Sequence, residues 1–140
     1  NLVTDYTFAK DSLFAQINLS GDELDTYFQV HEALKEKVIL PDLVVYLKAD
    51  TDVLLRRITQ RDRTFERNMD KDYIHKLNLA YNNYFERHHQ NKKLLTINTN
   101  TIDFVVHNQD FISIKDQIEQ ELKTTIVQDN FLFDKDNNAE

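Results

Sequence analysis

The chain has 140 residues, 41% of them hydrophobic and 29% charged, with a formal net charge of −7. This is enough for one domain with a real core, and the acidic balance excludes a general nucleic-acid or membrane-surface binder, which needs a basic footprint. The absence of cysteine excludes disulfides and thiolate metal sites, and no apolar run reaches the roughly 18 residues of a membrane-spanning helix. No signal-peptide pattern is present, and a cytoplasmic location suits this composition. Glycine is the odd number: the chain has Gly21 alone, with Pro41 as its one proline, where about 7% glycine is usual. Because the sequence also starts on Asn1 with no initiator methionine, it is expected to be a piece of a longer protein.

Leu2 and Val3 are predicted to end a short strand, and Tyr6, Phe8, Leu13, Phe14 and Ile17 then follow a helix-like pattern. Ser20 and Glu23 form an S-x-x-E capping box for a second helix. Its apolar side carries Leu24, Tyr27, Phe28, His31 and Leu34, and it stops before Pro41. The run PDLVVYLKAD at 41–50 reads as a strand of a parallel sheet covered on both faces. Asp50 or Thr51 is predicted to cap a helix through about Gln60. A strongly amphipathic helix is expected from Asp70 to about Arg87, with Tyr73, Leu77, Tyr81 and Tyr84 on one stripe. These tyrosines suit a core or a subunit interface better than a substrate site. His88 and His89 beside Lys92 and Lys93 read as a solvated helix end. LLTINT at 94–99 is a second strand, and Asn108 or Asp110 is predicted to cap a last helix to about Lys123. The tail at 124–140 is acidic and Asn-rich, and partial disorder, or a short strand or helix docked through Phe131, Leu132 and Phe133, is expected there. This alternation predicts an α/β fold with a parallel sheet and right-handed crossovers.

The chemistry concentrates at residues 56–67, RRITQRDRTFER, where five of the twelve are arginine. One reading is a solvated, salt-bridged helix face. The other is an anion site, since the guanidinium is always charged and its fork of donors matches phosphate oxygens. With the helix ending near Gln60, Arg57 stands on its last turn, and Arg61 and Arg63 extend from the loop beyond it.

The surroundings of that stretch resemble the lid region of the deoxynucleoside kinases over roughly residues 1 to 122. The strand Asp42-Leu43-Val44-Val45-Tyr46-Leu47 matches the family's D-L-x-x-Y-L. Arg57, Arg61 and Arg63 match its lid arginines, and Glu66 its lid glutamate. Leu94–Asn100 and Asp103-Phe104 match the L-L-x-I-[DN]-x-N and D-F segments. The resemblance implies a P-loop kinase-like parallel sheet with flanking helices, spanning residues 1–123, with a lid at about 57–67. It further implies ATP and Mg2+, a deoxynucleoside acceptor phosphorylated at its 5′-hydroxyl, and a homodimer formed through helices such as 22–38 and 70–87. Within it, Arg57, Arg61, Arg63 and Asp5 would be catalytic. Glu66 would accept from the sugar 3′-hydroxyl, with an ion pair to Arg63 or Arg67 as the alternative. Asp11 matches an aspartate that helps read the base, or is a plain exposed helix residue. Asn100, Asp103 and Phe104 lie in the segment that runs against adenine in the family, though Asn98, Asn100 and Asp103 equally suit turns. No protein metal site is expected.

The chain also departs from the family pattern. The acidic-Arg-Ser/Thr motif reads Asp5-Tyr6-Thr7, so the arginine is missing, and Lys10, one turn on, is the candidate to restore its charge. No G-x-x-x-x-G-K-[ST] occurs, so no glycine-rich loop can cradle phosphates. In the family's strand order the first strand lies between the third and fourth, so residues 1–4 are expected to be unpaired with PDLVVYLKA. The chain alone is therefore expected to be inactive and poorly folded, and to be the C-terminal part of a kinase. A thymidylate-type monophosphate kinase would need extra arginines, and none precedes Arg56. The competing reading is a non-catalytic interaction domain that keeps the fold without a phosphate loop.

Overall fold

The structure is a computed structural model; it describes residues 2–88 and 94–136, with side chains described through Arg87 and from Leu94 to Thr124. The elements are α1 (Phe8–Asn18), α2 (Gly21–Lys35), β1 (Val44–Lys48), α3 (Thr51–Arg61), a 3-10 turn (Thr64–Glu66), α4 (Lys71–His88), β2 (Leu94–Asn98) and α5 (Asn108–Asp136). They fall into two compact units, Asn1–Leu40 with Leu55–Tyr84, and Pro41–Leu54 with Phe85–Glu140.

In the first unit, α1 is held by aromatic contacts on two sides. Phe8 stacks on His31 of α2 at 4.2 Å, and Phe14 meets Tyr81 of α4 edge-on at 6.4 Å. Asn18 donates to the Tyr73 hydroxyl at 3.2 Å. Leu13, Ala15 and Ile74 are the buried apolar residues of this unit. Of the stripe predicted on α2, Leu24, Tyr27, Phe28 and His31 are half-buried while Leu34 is exposed, and α2 buries no residue fully. Ser20 does stand at the N-cap of α2, yet its side chain makes no cap hydrogen bond. Gly21 explains this: its φ of +54° inserts a left-handed turn directly after the cap, a conformation glycine adopts without a Cβ penalty.

In the second unit, β1 and β2 pair in parallel, in register from Val44–Leu94 to Lys48–Asn98. Parallel neighbours need a long crossover, and α3, the 3-10 turn and α4 supply it. Tyr46 stacks on Phe85 at 4.3 Å, and Lys48 reaches Glu86 at 3.6 Å. Ala49, Ile97, Thr99 and Ile114 form the buried centre. The predicted coverage on both faces does not hold, since Leu47 is 42% exposed and Ile97 alone among the strand residues is buried. Among the described residues the sheet has two strands. Leu2 and Val3, predicted to end a strand, lie outside any strand at 88% and 93% exposure. Without a neighbouring strand their backbone groups have no ladder to join.

The last helix continues past Lys123 to Asp136. The backbone of the tail is thus helical through Asp136, the helical alternative of the expectation for this segment. TTIVQDNFLFDKD contains neither glycine nor proline to stop it. The predicted docking of Phe131, Leu132 and Phe133, and the predicted solvated end at His89, Lys92 and Lys93, fall on residues or side chains outside the described set.

Candidate active site

The arginine stretch is organised by where α3 stops. Asp62, directly after the helix, has φ of +47°, the left-handed stop usually given to glycine or asparagine and tolerated by aspartate. Its N–H still donates to Ile58 O at 3.2 Å, closing the last turn. The chain then bends back through the 3-10 turn, and this bend brings residues five apart into contact. Arg61 grips Glu66 with its fork, Nε to Oε2 at 3.1 Å and Nη2 to the carboxylate at 2.6 Å. Arg67 grips Asp62 in the same way, at 2.7 and 2.9 Å. Arg63 Nη1 stands 4.0 Å from Glu66 Oε1.

Glu66 is the decisive side chain. It is 7% exposed, the one buried charged residue among those described, and a buried carboxylate requires a partner. Two guanidiniums, Arg61 and Arg63, share it. The cluster therefore keeps positive charge in excess, which suits an anion, and a buried carboxylate that suits a hydroxyl donor. Of the ion pairs expected from sequence, Arg63–Glu66 is present only at the edge of range, and Arg67 pairs with Asp62 instead. Arg57 lies one turn before Arg61 on α3 and is half-buried, so the two share a helix face.

At the start of α1, Asp5 is exposed and Lys10 extends its ammonium over the Phe14 ring, 5.9 Å from the centroid. Tyr6 donates its hydroxyl to Asp11 Oδ2. That hydrogen bond is the main reason the Tyr6 phenol is pushed up to about 12. Tyr27 and Tyr81 are also raised, first by burial and then by the Asp11 charge. The sequence did not reveal the Tyr6–Asp11 pair.

In the second unit, the ends of the two strands are tied together. The Asp50 N–H donates to Asn100 Oδ1 at 2.8 Å, and Asn100 Nδ2 donates back to Asp50 Oδ2 at 2.9 Å. The Thr99 N–H and hydroxyl both donate to Lys48 O, at 2.7 and 3.1 Å. Asp103 takes the N–H groups of Val105 and Val106 on Oδ1, and its own N–H donates to Asp110 Oδ2. Asn100 and Asp103 are thus occupied in forming the loop, while Phe104 is half-buried and the following Val105 and Val106 are exposed. Of the two capping residues considered for the last helix, Asn108 is its first residue and Asp110 reaches back to the loop.

Residues 2–123 match the sequence profile of the family described as deoxynucleoside kinase. The chain belongs to the deoxynucleoside kinase family. It is 27% identical over 122 residues to the deoxyguanosine kinase of Bacillus subtilis, covering 85% of this chain and 59% of that protein. A deoxyguanosine kinase of Lactobacillus johnsonii is 30% identical over 137 residues, covering 88% and 61%. The fold is similar to that of deoxyadenosine kinase from M. mycoides with bound dCTP, at a TM-score of 0.69 and 20% identity, covering 83% of this chain and 62% of that one. The architecture is accordingly the α/β fold of the P-loop kinases. The chain spans about three-fifths of the length of these relatives.

Proposed function

We propose that this chain is part of an ATP-dependent deoxynucleoside kinase that transfers the γ-phosphoryl group of ATP to the 5′-hydroxyl of a deoxynucleoside. In this reaction the 5′-oxygen forms a bond to the γ-phosphorus, the bond to the leaving ADP oxygen breaks, and the hydroxyl proton is released to solvent. Phosphoryl transfer gains mainly from positioning and from cations on the equatorial oxygens. Arg57, Arg61 and Arg63 supply such cations, and Glu66 supplies an acceptor for the 3′-hydroxyl. The observation that carries this reading is the sharing of one buried carboxylate by Arg61 and Arg63. A phosphate competing for those arginines releases Glu66 for the sugar.

Asp5 is an exposed carboxylate. A single carboxylate is the kind of ligand Mg2+ takes, since it is commonly bound through one or two carboxylates together with substrate phosphates. Asp5 would hold it, and when bound it neutralises phosphate charge. Lys10 is proposed to supply the positive charge that Tyr6 does not. Asn100 and Asp103 are proposed to shape the loop whose backbone, with Phe104, meets the adenine of ATP. Exposed Val30, Leu34 and Leu79 on α2 and α4 support pairing of two copies.

The test is ATP turnover by the full-length protein against the four deoxynucleosides, with Arg61→Ala beside it. Turnover of at least one, reduced about a hundredfold or more in Arg61→Ala, is the expected result. No turnover of any of them supports an interaction domain instead. Residues 1–140 contain no G-x-x-x-x-G-K-[ST], so the 140-residue chain alone is expected to show none.

A further inference from the structure

Thr7 is the N-cap of α1, and its side chain makes no cap hydrogen bond. Tyr6 therefore stands just before the cap and Asp11 at the fourth helical position. In many helices these two positions hold an apolar pair that fixes how the chain enters the helix. Here they hold a hydroxyl and a carboxylate, joined by the Tyr6–Asp11 hydrogen bond. Both residues are exposed, Tyr6 at 46%, so burial does not force the pairing.

Among the described residues Tyr6 is the one hydrogen-bond donor to Asp11. Tyr27 feels the Asp11 charge but leaves its own hydroxyl buried and unpartnered. The carboxylate is thus held from one side by one residue, and its other oxygen stays open. An ionised carboxylate is an acceptor only, so the open oxygen can read an N–H and rejects another acceptor.

We propose that Tyr6 is a positioning residue for nucleoside recognition: its hydroxyl occupies Oδ2 of Asp11 and orients Oδ1 to accept an N–H from the base. This rests on the reading of the chain as part of a deoxynucleoside kinase, and it gives a role to the residue that stands where the family has arginine. The tyrosine hydroxyl orients the carboxylate without bringing a positive charge to it.

The test uses the full-length protein, ATP and the deoxynucleoside it phosphorylates best. Tyr6→Phe keeps the ring and removes the hydroxyl alone. It is expected to raise KM for the nucleoside about tenfold, as for loss of one hydrogen bond to a charged group, with kcat and KM for ATP held within about twofold. Asp11→Asn is expected to raise the same KM, and the double variant to be no worse than Asp11→Asn, because both changes act through one carboxylate. An active wild type with an unchanged KM in Tyr6→Phe, or additive effects in the double variant, overturns the positioning role alone. A wild type inactive on every deoxynucleoside overturns the kinase reading and this role with it.

Discussion

Replacing Glu66 with glutamine tests whether the turn at Thr64–Glu66 is held by its ion pair. The amide keeps the size of the side chain and removes its charge, so the Arg61 fork loses one of its two acceptors. A hydrogen bond to a charged group contributes about 1.5–3 kcal/mol. The Arg61 side chain is 49% exposed and that of Glu66 8%, so solvent screening lowers the expected loss to about 1–2 kcal/mol. The loss falls on a turn whose own backbone bonds are few: the Glu66 N–H donates to Arg63 O at 2.9 Å, and the Met69 N–H to Glu66 O at 3.1 Å. Hydrogen exchange of those two amides in the ligand-free full-length protein reads the local opening directly. Exchange about 5- to 30-fold faster in Glu66→Gln is expected, and about 1 M salt should speed the wild type in the same direction. Unchanged exchange at both amides would show that the turn stands without the pair and would refute the reasoning.

The Asp50–Asn100 clasp can be tested by exchanging its partners. Asn100→Asp places two carboxylates against each other and should lower the denaturation midpoint. Adding Asp50→Asn should recover most of the loss, because the amide and the carboxylate are then present again with their positions reversed. Failure of the double variant to recover would refute the clasp. Alkaline stability gives a further check, since the Tyr6 phenol is pushed up to about 12 from 10.0. The folded state holds this proton more tightly, so its contribution is complete below about pH 10 and is lost as pH rises towards 12. Tyr6→Phe should therefore make the stability of the full-length protein fall less steeply across that window in denaturant titrations; an identical slope would contradict this. Lys10→Ala should lower kcat/KM about tenfold if its charge replaces the missing arginine, and unchanged kinetics would remove Lys10 from the site.

Much of the fold was legible because each element carries its own local signal. The apolar run at Val44–Leu47, the helix-start signal at Asp50-Thr51 and the tyrosine stripe of α4 placed the crossover and the parallel pair. What the sequence did not show was the partnering of polar side chains, which depends on the path of the chain. Arg61–Glu66 and Asp62–Arg67 are both five residues apart and lie outside helical spacing. They meet only because Asp62 takes a left-handed conformation, although the repeated offset of opposite charges was a usable hint. Tyr6–Asp11 was hidden for a similar reason, since a tyrosine before an N-cap reads as an apolar staple. The capping box failed because Gly21 breaks the geometry that the S-x-x-E pattern assumes. Coverage of the sheet was misjudged because a continuous apolar strand reports what it is suited to pack against, and the second unit has only two strands among its described residues.

The helix stop at Asp62 has a mechanical consequence. A glycine there would form a swivel, free to take many angles at little cost. An aspartate at φ +47° reaches that angle against a Cβ penalty, and it does so while Arg67 holds its carboxylate. The bend after α3 is therefore a sprung joint with one preferred setting. Its stiffness depends on charge, so removing the Arg67 side chain is felt at the bend as well as at the surface.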